Sequence, residues 1–173
     1  MNIKILFISF AFLFIQQIQS QESTKAILDQ AYNQAKIENK NVFVIFHASW
    51  CGWCKKMDAN MNQATTKKIF DDNYVVKHLV VQEARGKKHL ENPGAQELLV
   101  KYKGDKSGIP FFLIFDAYGK ILTDSFNTKG KNLGCPTSAE EVDEFIKKLK
   151  STSTLSDDEL ALIVEAFQEK KKE

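Results

Sequence analysis

Cys51 and Cys54, within the run FVIFHASWCGWCKKM from Phe43 to Met57, are the residues whose type and spacing point to a definite chemistry. Two thiols three residues apart at the start of a helix face the same side and can close a disulfide with little backbone movement. Such a pair carries two electrons. The first thiol sits beside the unpaired N–H groups and positive dipole end of that helix, which favour thiolate over thiol. Cys51 is therefore expected to be the nucleophile. Cys54 lies one turn inside, where shielding by neighbours raises its pKa, and reads as the resolving thiol.

A paired cysteine motif can also be half of a zinc site, which takes four ligands and usually a second paired motif. The other candidates here are Cys135, His47, His78 and His89, and no two of them are closely spaced. Covalent haem attachment needs a histidine directly after the second cysteine, where Lys55 stands. No metal is expected, and no cofactor beyond the Cys51/Cys54 pair.

The pair must be delivered by the elements around it. Val42 to Phe46 is a short apolar run rich in β-branched and aromatic residues, as in a strand buried on both faces that ends beside the dithiol. Before it, Ser23 caps a predicted helix carrying Ile27, Leu28, Ala31, Tyr32 and Ala35 at helical spacing and ending near Asn39 to Asn41. The helix opened by Cys51 is expected to pass Lys55, Lys56 and Met57 and to continue, bent, toward Phe70. Tyr74 to Val81 reads as a strand, followed by a polar connection from Gln82 to Asn92. Pro93 in a first helical turn, with Leu98, Leu99 and Tyr102, predicts a short helix ended by Gly104. Phe111 to Phe115 and Lys120 to Asp124, joined by Asp116 to Gly119, suit an antiparallel hairpin, so the sheet is expected to be mixed.

Two capping boxes, Ser138 with Glu141 and Ser156 with Glu159, each precede an amphipathic pattern. The first helix carries Val142, Phe145, Ile146 and Leu149; the second carries Leu160, Ile163, Val164 and Phe167 and ends in Lys170 to Lys172. The last helix is expected to pack on the domain rather than to grip a partner.

The N-terminus predicts the compartment. Lys4, the eleven-residue apolar core from Ile5 to Ile15 and the polar stretch from Gln16 to Ser20 read as a secretory signal peptide cleaved after Ser20. The apolar run is too short for a bilayer span, so no stable membrane insertion is expected after cleavage. Residues 21–173 then form one domain, and the formal charge falls from +2 to +1 with the loss of Lys4. That balance does not steer toward nucleic acid or acidic membranes, and proteins are the expected partners. In an oxidising compartment three cysteines cannot all pair within one chain. Cys135 is the one left over, expected to be dispensable for turnover yet able to form an intermolecular disulfide.

The apolar strand, Trp50, the Cys51-Gly52-Trp53-Cys54 pair and Gly108-Ile109-Pro110 before the next apolar run together resemble the thioredoxin superfamily, over roughly residues 41 to 125. The resemblance implies an α/β thioredoxin-like fold, a central mixed β-sheet flanked by helices. The core would span about residues 41–150, with an extra C-terminal helix at about 155–171. It also implies that Pro110 follows a cis peptide bond against the dithiol, and that the Ile109 backbone meets a substrate segment. Trp50 and Trp53 would add an amphipathic surface around the sulfur for a flexible protein. Lys55 and Lys56 would lower the thiol pKa values, or simply form a solvated helix face. His47, at the strand end, reads as a structural residue rather than a base.

The chain departs from the family pattern at two points. Thioredoxins carry a buried carboxylate six residues before the first cysteine that assists proton transfer at the second thiol; that position here is Ile45. Glu83 is the candidate to approach the site from another direction. The dipeptide between the cysteines is Gly-Trp rather than Gly-Pro, and both departures leave the redox direction open. The expectation is an exported, periplasmic or secreted thiol:disulfide oxidoreductase that acts on protein substrates with a thiol electron donor or acceptor. The C-terminal residues do not read as an ER-retention tetrapeptide, which favours a bacterial envelope. Oxidase or isomerase action is the alternative within enzymes, and a client-binding module with a structural disulfide is the alternative outside them.

Overall fold

The computed structural model describes residues 21–168. The expected signal peptide and the basic end from Lys170 to Lys172 lie outside the described residues. In chain order the elements are α1 (Thr24–Glu38), β1 (Asn41–His47), α2 (Gly52–Met61), α3 (Lys67–Asn73), β2 (Tyr74–Val80), a 3-10 turn (Arg85–Leu90), α4 (Ala95–Lys101), β3 (Phe111–Phe115), β4 (Ile121–Asp124), α5 (Ala139–Ser151) and α6 (Asp157–Phe167).

The sheet is mixed, as predicted, with strand order β2-β1-β3-β4. β1 pairs parallel with β2, from Asn41 opposite Tyr74 to His47 opposite Val80, and antiparallel with β3. A strand with neighbours on both sides and helices on both faces has no solvent side, which explains the unbroken apolar runs of β1 and β3. Their side chains alternate between two cores. Phe43, Ile45, Phe112 and Ile114 meet Met57, Phe70, Phe145 and Phe167 on the face covered by α2, α3, α5 and α6. Val42, Val44, Phe46, Phe111, Leu113 and Phe115 meet Leu28, Ala31, Ala35 and Leu99 of α1 and α4 on the other.

Ser23 caps α1, and both predicted capping boxes form completely, at Ser138 with Glu141 and Ser156 with Glu159. Leu160, Ile163 and Phe167 of α6 are buried in the first core. This helix is an integral wall of that core.

Two expectations are corrected. The helix after Cys51 does not continue bent toward Phe70; it ends at Met61, and α3 starts separately at Lys67. Asn62 turns its amide onto the Asp58 carbonyl, and the buried Thr66 hydroxyl donates to the Asn60 carbonyl. The Asp58 carbonyl keeps its bond from the Asn62 N–H, while Thr66 occupies the Asn60 carbonyl that a continuing helix would use. Pro93, likewise, lies before the α4 helix rather than in its first turn. Gly94 at φ 87° is the N-cap, a left-handed conformation suited to glycine, and the Pro93 carbonyl accepts from the Thr24 N–H at 2.8 Å. At the other end of α4, a Cβ on Gly104 would lie 2.5 Å from Leu99 Cδ1 and 2.9 Å from Phe111 Cδ1, so only glycine fits there.

Candidate active site

β1 runs straight into the site. Its last residue, His47, is followed by Ala48, Ser49 and Trp50, and Cys51 is the N-cap of α2. Cys51 and Cys54 are joined by a disulfide, with Cα atoms 5.3 Å apart. Cys51 Sγ also accepts the Cys54 N–H at 3.0 Å, one of the orphan donors of the helix start. The same N–H would stabilise a Cys51 thiolate after reduction. The two cysteines do not differ in exposure, at 3 % and 5 %. What separates them is position: Cys51 is the cap and Cys54 lies within the first turn.

The Ile109–Pro110 peptide is cis. The Ile109 carbonyl lies 3.6 Å from Cys51 Sγ, and the Ile109 side chain packs on Ala48, Cys51 and Cys54. Asn132 holds this loop. Its side-chain amide donates to the carbonyls of Ser107 at 3.1 Å, Gly108 at 3.0 Å and Pro110 at 3.0 Å, while its oxygen accepts from the Gly134 N–H. Two N–H bonds serve three acceptors, so at least one is shared. No motif in the sequence marks Asn132, which acts from 22 residues beyond Pro110.

Trp50 and Trp53 are 57 % and 54 % exposed and flank the disulfide. The Trp50 indole N–H donates to the Gln82 carbonyl at 2.9 Å, which fixes the ring while leaving much of its surface open. Lys56 lies 5.1 Å from the Trp53 ring centroid. Trp53, Ile109, Pro110 and Cys135 line one cavity of about 220 Å³. Cys135, distant in sequence, is thus close to the site in space, and at 7 % exposure it is buried.

Glu83 is 4 % exposed and engages the loop before Cys51. Burial pushes its carboxyl up, but the Ser49 N–H and hydroxyl, the charge of Lys87 and the Ala84 N–H together outweigh this and hold it below the usual carboxylate value. Its position makes it a brace for the Ser49–Trp50 segment. Lys55 is exposed and shares with Cys54 a second cavity, of about 610 Å³, also lined by His47, His78 and Asp58. Ile45 lies within the apolar core, as its place in the strand predicts. Among the described residues, no group of three or more His, Cys, Asp and Glu side chains is arranged to hold a metal ion.

The thioredoxin-like family profile matches residues 23–117, more than half of the chain. The chain belongs to the thioredoxin-like family. A protein disulfide-isomerase of Zea mays is 24 % identical over 140 residues, covering 80 % of this chain and 23 % of that protein. The chain therefore spans about a quarter of that relative. Among solved structures, a disulphide isomerase from Xylella fastidiosa Temecula1 aligns with a TM-score of 0.50 at 16 % identity, covering 91 % of this chain and 98 % of that one. The C-terminal domain of DsbD from Neisseria meningitidis, oxidised form, aligns with a TM-score of 0.41 at 23 % identity, covering 60 % of this chain and 84 % of that one. In this thioredoxin-like chain the family match ends at Ala117, so α5 and α6 lie beyond it.

Proposed function

We propose that this chain is an exported thiol:disulfide oxidoreductase that exchanges disulfides with protein substrates through Cys51 and Cys54. The observation that carries the reading is the placement of the disulfide. Cys51 caps α2, accepts a backbone N–H there, and faces the Ile109 carbonyl across 3.6 Å. In the reducing direction the Cys51 thiolate attacks a client disulfide, one client sulfur leaves as a thiolate, and a mixed disulfide forms. Cys54 then attacks Cys51 Sγ and releases the second client sulfur. Two electrons pass to the client, and the Cys51–Cys54 bond re-forms.

The exposed Trp50 and Trp53 faces and the Ile109–Pro110 edge supply an apolar landing surface for an extended client segment around the sulfurs. Lys55, adjoining Cys54, contributes positive charge to that side of the site. Export rests on the N-terminal pattern from Lys4 to Ser20, which supports a periplasmic or extracellular location. Among the described residues no helix is long and apolar enough to cross a membrane. The electron partner is a thiol or disulfide, and the redox direction follows from the reduction potential.

Insulin reduction with a small thiol donor tests the reading. Turnover abolished by Cys51→Ser is the expected result; wild-type protein giving no turnover in either the reducing or the oxidising direction would leave only a binding module. Equilibration against glutathione then assigns the direction.

A further inference from the structure

The second step of the exchange requires a proton to leave Cys54, and the apolar Ile45 offers nothing to receive it. Glu83 is committed elsewhere, since each of its carboxylate oxygens accepts from Ser49. The cavity of about 610 Å³ beside Cys54 does hold acceptors. His47 ends β1, and His78 lies on β2 opposite Ile45. Alternation along β1 puts His47 on the same face as Ile45, and paired residues of parallel strands share a face, so the two imidazoles converge. Their ring centroids are 5.2 Å apart at an interplanar angle of 73°. Asp58, one turn beyond Cys54 on α2, places Oδ1 3.3 Å from His78 Nε2.

We propose that the His47–His78 pair, oriented by Asp58, is the proton acceptor for Cys54 when it resolves a mixed disulfide on Cys51. This rests on the oxidoreductase reading above and deepens it. The Cys54 S–H proton passes to an imidazole nitrogen, directly or through solvent in the cavity, as Cys54 Sγ bonds to Cys51 Sγ. The Cys51–client bond breaks, its electron pair leaves on the client sulfur, and the imidazolium gives its proton to that thiolate or to solvent.

The charged surroundings suit this task. Burial pulls His47 below the ordinary histidine value and His78 adds to the effect, while Asp58 and Glu83 oppose it. Although 36 % of the His78 side chain is exposed, burial also lowers its pKa against the pull of Asp58. Lys55, on α2, lines the same cavity. Both shifts favour the neutral ring that can accept a proton, whereas Asp58 at both rings and Glu83 at His47 favour the charge once it arrives.

The test uses the full reduced protein with one equivalent of a symmetrical nitrophenyl disulfide. Attack by Cys51 releases one coloured thiolate, and resolution by Cys54 releases the second. The His47→Gln/His78→Gln double variant should slow the second release about tenfold or more at neutral pH. It should leave the first release unchanged and remove the inflection expected of the wild-type second phase below the ordinary histidine value. A second release at the wild-type rate, or equal slowing of both phases, overturns the proposal. Asp58→Asn changes a half-exposed side chain and provides the check should the double variant misfold. Loss of its charge must move the inflection to lower pH, and an unmoved inflection overturns the proposal equally. A wild-type protein that releases only one coloured thiolate would instead refute the oxidoreductase reading, and the proton path with it.

Discussion

Glu83 accepts two hydrogen bonds from Ser49, from its N–H at 2.5 Å and from its hydroxyl at 2.9 Å. A residue just past β2 thereby anchors the segment that carries Trp50 and Cys51. The Glu83 carboxyl is held below its ordinary value of 4.5, so its contribution to stability is full above that pH and is lost as pH falls through the depressed folded value. Glu83→Gln should cost on the order of 1 kcal/mol at neutral pH. It should also flatten the acid limb, and urea midpoints measured from acid to neutral pH would show both effects.

Asn132→Ala should loosen the loop that faces Cys51. Up to three carbonyls lose a donor, and the expected cost is about 1–3 kcal/mol. If the loop positions the client, the KM for a peptide disulfide should rise more than kcat falls. A uniform loss in kcat at unchanged KM would count against that role.

Cys54→Ser should accumulate mixed disulfides with clients, because nothing remains to displace them. Cys51→Ser should abolish turnover and trapping alike. Nonreducing gels on the two variants decide the roles, and adducts found solely with Cys51→Ser would reverse the assignment.

Cys135→Ser should keep turnover near wild type. It places a hydroxyl at the edge of the apolar core that α5 and α6 cover, so a thermal midpoint lower by a few degrees is expected, for roughly 1 kcal/mol. Any covalent dimer the wild-type protein forms without reductant should be absent from the variant. Nonreducing gels and thermal melts check both points.

The parts of this fold that could be read in advance are those specified by local chemistry. Runs such as Phe111 to Phe115 must be buried, and Ser156 followed by Glu159 can satisfy a helix start with its own side chains. The relationships that were not legible join residues through pairing or loop closure. His47 and His78 are 31 positions apart and meet because β1 and β2 run parallel from Asn41 and Tyr74. Reading those two strands as parallel with matched starts would have set Ile45 opposite His78 and drawn His47 close. Asn132 had no comparable signal, since its three acceptors are backbone carbonyls that any sequence would supply. The break after Met61 depended on Thr66 reaching the Asn60 carbonyl, a competition that periodicity does not register.

Phe167 packs on Phe70 and Phe145 at the end of α6, in the same core that holds Phe43 and Ile45 of the central strand. The last described helix thus closes over a strand formed from the first third of the chain. During vectorial delivery from a ribosome or through a translocation pore, β1 and the cysteines emerge long before the residues that seal the sheet above them. Until those residues arrive, only α2 and α3 cover that face of β1, and the strand that carries the two thiols rests on an unfinished scaffold. The strand that positions the reactive centre is therefore made early and covered on that face last.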